Sequence, residues 1–226
     1  MKTIIALSAL LLLFACAPKR EDLSIKKAIG GAKYGGEFRF MSPEKVESLI
    51  PIQAVDIYTQ RITSQIFDQL LVLDPSSQKI IPGLAHSHSV SKNGLVYTFQ
   101  IRKGVFFHPD ECFENETREL DANDIKFTLD MACSGLKINK VSWLLIDRVK
   151  GAKDFYNQSK NRLPENGVSG IKVVNKNTLE ITLIEPLASF EKILSYSGFG
   201  VFPKEAYELY GDKLSKHPIG TGPFKL

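Results

Sequence analysis

Gly94-Leu95-Val96-Tyr97-Thr98-Phe99-Gln100-Ile101-Arg102-Lys103-Gly104-Val105-Phe106-Phe107-His108 is the stretch on which the fold turns. Tyr97, Phe99 and Ile101 alternate with Val96, Thr98 and Gln100, the period of a strand with one buried face. Upstream, His88-Ser89-Val90-Ser91 and the Asn93-Gly94 pair complete a hairpin, because a two-residue turn needs positive φ and Asn and Gly accept it most readily. Arg102-Lys103-Gly104 turns the chain again.

Outward from this hairpin, Asp56 stands where an N-cap belongs, before a helix predicted over residues 57–71 with Ile62, Ile66, Phe67, Leu70 and Leu71 on one stripe. Earlier still, Gly35-Gly36 leads into a predicted strand over residues 37–41, with Phe38 and Phe40 on one face. Asp121, with Asp124 three residues on, predicts a capped helix running to Ser134-Gly135, and a second helix is expected over residues 142–155. Residues 171–174 and 178–183 form another hairpin pattern, with Leu179, Ile181 and Leu183 inward. Short helices follow over residues 187–197 and 204–210, the latter with Pro203 at its start, and Phe224 and Leu226 alternate as though a strand began there. Hairpins and helices without strict βαβ alternation argue for an α/β or α+β fold with a mixed β-sheet.

Composition excludes several classes. With 43% hydrophobic and 24% charged residues the chain is an ordinary globular sequence. Its 29 basic and 25 acidic residues are interspersed without a basic block, which argues against nucleic acid as a partner. The 3 cysteines show no CxxC spacing. His86 and His88 project from one side of an extended segment, but His108 and His217 lack the spacing to complete a ligand set, so no metal or other cofactor is expected. No nucleophile elbow, HExxH helix, Walker loop or dinucleotide fingerprint occurs, so the chain is not read as an enzyme.

The N-terminus reads as an export signal: Lys2 precedes an apolar run over residues 4–15 broken only by Ser8. At 1.5 Å per residue that run reaches roughly 18 Å, short of the ~30 Å hydrocarbon core of a bilayer. Leu13-Phe14-Ala15-Cys16 resembles a bacterial lipobox, although Phe14 is bulky for its position. The resemblance implies a lipoprotein signal peptide over residues 1–15, cleavage before Cys16, acylation of Cys16 and a lipidated tether over residues 16–33, with order beginning near Tyr34. Plain secretion is the alternative. In an oxidising compartment Cys112 and Cys133 either form a disulfide, worth about 3 kcal/mol by loop closure, or remain two buried thiols.

Several segments together resemble the family 5 solute-binding proteins, the extracytoplasmic receptors of dipeptide, oligopeptide and nickel ABC transporters. These are Leu70-Leu71-Val72-Leu73-Asp74, Ile81-Pro82-Gly83-Leu84-Ala85, the stretch from Gly94 to His108, Asp121-Ala122-Asn123-Asp124-Ile125-Lys126-Phe127 and Gly220-Thr221-Gly222-Pro223-Phe224-Lys225-Leu226. Two departures are His88, where the family usually carries a tryptophan, and a longer, acidic, cysteine-bearing link over residues 109–120.

The resemblance implies a periplasmic-binding-protein type II-like lobe over residues 34–226, truncated at the crossover to a second lobe. It implies an importer's substrate-binding component that holds a peptide or other small solute between lobes and delivers it to ABC permease subunits, tethered by lipid on the periplasmic or cell-surface side. A non-transport interaction module or inactive remnant is the alternative. Val55, Asp56, Ile57 and Tyr58 lie where relatives contact ligand. Asp56 is then either a plain N-cap or the partner of a peptide ammonium, and Trp143 either an aromatic wall or a core residue. Phe199 would line the cleft mouth, and Thr221, Gly222 and Pro223 would form the crossover.

Overall fold

The computed structural model describes residues 26–27 and 33–226. The chain divides into two units, Met1–Met41 and Ser42–Leu226. The residues expected to form a signal peptide, and Cys16, lie outside the described residues. In the first unit a two-residue strand β1 (Lys26–Lys27) pairs antiparallel with β2 (Lys33–Tyr34), so regular structure occurs inside the stretch expected to be an unstructured tether. Residues 37–41 form no strand, contrary to expectation. Phe38 and Phe40 are 70% and 51% exposed, so the alternating aromatics do not form a buried strand face.

The second unit begins with a 3-10 turn, Pro51–Gln53, that buries Ile52, and continues into α1 (Ile57–Ile66). The helix is shorter than its apolar stripe, for a tertiary reason. Gly222 and Phe224 donate backbone N–H groups to the carbonyls of Ile66 and Gln65, while Leu84 and Ala85 donate to Gln69 and Leu70. These bonds satisfy carbonyls that a longer helix would have used internally, and Phe67, Leu70 and Leu71 are still buried from extended backbone. Strands β3 (Leu71–Leu73) and β4 (Ile80–Pro82) then form an antiparallel ribbon.

The main sheet has the order β5-β6-β8-β7, from β5 (Ala85–Val90), β6 (Val96–Ile101), β7 (Ile171–Asn175) and β8 (Thr178–Thr182), each neighbour antiparallel. Gly94 in the first hairpin sits at φ +71° and donates its amide to Ser91 at 2.8 Å, so the turn runs over residues 91–94 with only its glycine at positive φ, and is longer than the two-residue Asn93-Gly94 turn expected. Tyr97 faces Ile181 and Phe99 faces Leu179 across the β6–β8 ladder. All four, with Ile101 and Leu183, are buried as the period-2 pattern predicts. Between the hairpins the chain forms α2 (Ala122–Cys133), which packs against β7 and β8. Its N-terminus carries the capping box of Asp121 and Asp124. At its other end the single Asn139 side-chain amide donates to the carbonyls of Met131, Ala132 and Ser134 at 3.0, 2.8 and 2.7 Å.

The helix expected over residues 142–155 is divided into a 3-10 turn, Ser142–Leu144, and α3 (Ala152–Gln158). Lys150 donates to Thr182 and Ile184 donates to Arg148, so residues 148–150 extend the sheet edge beside β8. Gly151 at φ +75° then starts the helix afresh. The segment over 187–197 contains only α4 (Phe190–Leu194), followed by a 3-10 turn, Ser197–Phe199. Helix α5 (Lys204–Tyr210) has its expected bounds, with Pro203 as N-cap. Phe224 begins no strand; its amide is spent on Gln65.

Candidate functional site

An open cavity of about 1020 Å³ lies against the N-terminal end of α1. Val55, Asp56 and Tyr58 line it, so three of the four residues expected at a ligand site share one wall; Ile57 is exposed beside them. The local sequence explains the presentation. Ile52 and Ala54 are buried and fix the chain, whereas Val55, 56% exposed, stands out from it. Gln60 donates its side-chain amide to the Ala54 carbonyl at 3.1 Å and to the Tyr196 hydroxyl at 3.0 Å. The Tyr196 hydroxyl in turn donates to Ala54 at 3.3 Å. This triangle pins the entry to α1.

Asp56 is the N-cap: its carboxylate accepts the Thr59 amide at 2.8 Å. That hydrogen bond, with the Thr59 side chain, holds the Asp56 carboxyl below the usual carboxylate range. Capping uses one oxygen, and the residue remains exposed, so the ionised carboxylate also faces the cavity. Glu44, Glu47 and Asp212 add negative charge to the lining, against Lys45 and Lys140.

Two site expectations change. Phe199 is 2% exposed and packs edge-on against Tyr196 with ring centroids 5.8 Å apart, so it belongs to the core and not to a cleft mouth. Trp143 is 65% exposed on the Ser142–Leu144 turn, which removes the core reading; it is not among the cavity-lining residues. Cys112 and Cys133 are free thiols. Burial pushes the Cys112 thiol up to about 12 and raises Cys133 as well, so both are protonated. His88 bonds Glu191 at 2.9 Å and stacks on Phe99, while His86 is exposed. Among the described residues no three His, Cys, Asp or Glu side chains are grouped to hold a metal.

Thr221, Gly222 and Pro223, expected to form a crossover, lie together over the C-terminal end of α1. Thr221 donates its hydroxyl to Asp68 at 2.8 Å, Gly222 is bonded by both His108 and Ile66, and Pro223 is exposed. Sequence reasoning did not find Gln60, Tyr196, Asp68 or His108. Their partners are 136, 153 and 114 residues away for the Gln60–Tyr196, Asp68–Thr221 and His108–Gly222 pairs, so no local spacing signals them.

Residues 79–226 match the sequence profile of the bacterial extracellular solute-binding proteins, family 5 Middle. The dipeptide-binding protein of Escherichia coli K12 is 33% identical over 71% of this chain and 29% of its own length. A periplasmic binding protein DppA of Helicobacter pylori, solved in complex with the peptide STSA, aligns with a TM-score of 0.59 and 28% identity over 79% of this chain and 34% of that one. An oligopeptide ABC transporter substrate-binding domain from Bacillus anthracis shares the fold with a TM-score of 0.70, at 20% identity over 83% and 34% of the two chains. The chain thus spans about a third of the length of these relatives. Among the described residues no helix is long and apolar enough to cross a membrane. With the profile match covering most of the sequence, the chain belongs to the bacterial extracellular solute-binding proteins of family 5.

Proposed function

We propose that this chain supplies one wall of the solute-binding cleft of an ABC importer's extracytoplasmic receptor, with a peptide as the solute. The observation that carries the reading is the segment of Val55, Asp56 and Tyr58, held by Gln60 and Tyr196 along an open cavity of about 1020 Å³. Relatives named for dipeptide, di/tripeptide and glutathione binding support it. The Asp56 carboxylate is suited to a peptide's ammonium group, and the exposed Val55 offers apolar contact to a side chain. No bond of the solute is broken; the receptor closes on it and passes it to the permease.

Export and acylation at Cys16 would hold this wall outside the membrane, on the periplasmic or cell-surface side. Calorimetric titration of the full-length receptor, with both walls of its cleft present, against di-, tri- and oligopeptides, nickel and sugars tests the function. Saturable binding of peptides is expected. Silence across all of these solutes rules the reading out.

A further inference from the structure

The helix whose first turn lines the cavity is fastened at its other end. Residues 220–224 run across the last turn of α1, where Gly222 donates to Ile66 at 2.8 Å and Phe224 donates to Gln65 at 3.0 Å. Those carbonyls belong to the final turn of the helix, which would otherwise lack partners. The approach is close enough that a Cβ on Gly222 would meet the Gln65 carbonyl oxygen at 2.6 Å. Two side chains then hold the segment from outside. The Thr221 hydroxyl donates to Asp68, just beyond α1, and His108, following β6 in sequence, bonds the Gly222 carbonyl through Nε2 at 2.8 Å. The His108 amide also donates to Gly220 at 2.8 Å.

A carbonyl can only accept, so Nε2 carries the proton and the neutral ring leaves Nδ1 bare. That Nδ1 is buried and, among the described residues, has no partner. Protonating it would place an N–H and a positive charge where nothing accepts them, at a cost that a movement of the ring or of residues 220–224 relieves.

We propose that Asp68 and His108 form a clasp that locks residues 220–224 onto the C-terminal end of α1, and that protonation of His108 opens it. The proposal rests on reading Thr221, Gly222 and Pro223 as the crossover of a binding protein. The clasp joins the crossover to the helix that carries the cavity wall, so opening it frees the crossover from that wall. Burial lowers the His108 pKa below that of an ordinary imidazole. The bond to Gly222 and the charge of Asp68 oppose that shift, while Lys225 adds to it. Asp110, Lys216 and His217 line the same small space of about 70 Å³. Since the folded value lies below the unfolded one, the clasp is intact above about pH 6.5 and weakens as the pH falls below it.

Amide hydrogen exchange of Gly222 and Phe224, expressed as protection relative to the intrinsic rate at each pH, tests this on the whole chain. In the unmodified protein protection should fall by about tenfold or more between pH 7.5 and pH 5, a change of ~1.4 kcal/mol. His108→Gln, which keeps a donor for Gly222 and does not titrate, should remove that dependence. His217→Gln, altering the other imidazole of this space, should leave it in place. Asp68→Ala, which removes the acceptor of the Thr221 hydroxyl, should lower protection at every pH. Protection that is independent of pH in the unmodified protein overturns the proposal, as does an equal fall in His108→Gln. The measurement needs no solute, so a failure of peptide binding would overturn the functional reading without touching the clasp.

Discussion

Arg118 donates both terminal nitrogens to the two carboxylate oxygens of Asp124, at 2.8 and 2.6 Å. The same guanidinium bonds both oxygens of Glu205 at 2.7 Å and lies over the rings of Phe107 and Phe113. Asp124 is the buried acid of the α2 capping box and Glu205 opens α5, so one side chain ties the long acidic link over residues 109–120 to two helices. Burial pushes the Asp124 carboxyl up, and Arg118 and the Asp121 amide draw it back.

Arg118→Ala is therefore expected to cost about 3 kcal/mol, because it strands a buried carboxylate. Arg118→Lys should recover only part of this, since an ammonium cannot reproduce the paired fork. Urea unfolding measures both; an unchanged midpoint for Arg118→Ala would show the network to be energetically idle.

Asp56 has two separable roles. Asp56→Ala should lower stability by about 1 kcal/mol through loss of the cap, while Asp56→Asn keeps an acceptor for Thr59 and should leave stability nearly unchanged. If the carboxylate meets a solute's ammonium, Asp56→Asn weakens peptide binding at constant melting temperature. Equal affinity in titration would leave Asp56 as a cap alone.

Acid should weaken the fold through Glu205 and Asp110. The Arg118 hydrogen bond holds Glu205 below its ordinary value; burial raises Asp110, but the Cys112 amide, His217 and Tyr210 outweigh it and leave it lowered. For carboxyls lowered in the folded state, the stabilisation is complete above the unfolded values, about 4 to 4.5, and is lost as pH falls through the folded ones. Glu205→Gln should flatten part of this acid limb in melting curves recorded from pH 7 to pH 3, and an identical limb would contradict the assignment.

Both thiols should be slow to react in the native protein, Cys133 from burial and Cys112 from its raised pKa as well. Peptide mapping after alkylation in urea without reductant should find Cys112 and Cys133 both labelled. Recovery of a linked Cys112–Cys133 peptide would instead establish the disulfide.

Gly220→Ala should destabilise by about 2 kcal/mol or displace residues 220–224, because its Cβ would collide with the Ile66 carbonyl oxygen. Thermal melting together with exchange at Phe224 distinguishes the two outcomes.

By itself the sequence determined the two hairpins, the capped helix α2, the bounds of α5 and the inward faces of β6 and β8. In each case the signal is local: a period of two, an Asn-Gly turn, or a cap with its acid three residues on. The family resemblance singled out Val55, Asp56, Ile57 and Tyr58, and the structure shows that three of them, Val55, Asp56 and Tyr58, line a cavity. Tertiary structure alone decided where α1 stops, since its last carbonyls are claimed by amides more than 150 residues away. It decided as well that residues 148–150 join the sheet, that Phe199 is core while Trp143 is exposed, and that Asp68 and His108 meet Thr221 and Gly222. Local patterns fix which face of an element is apolar, but partners for unpaired backbone groups are chosen only when distant segments pack together.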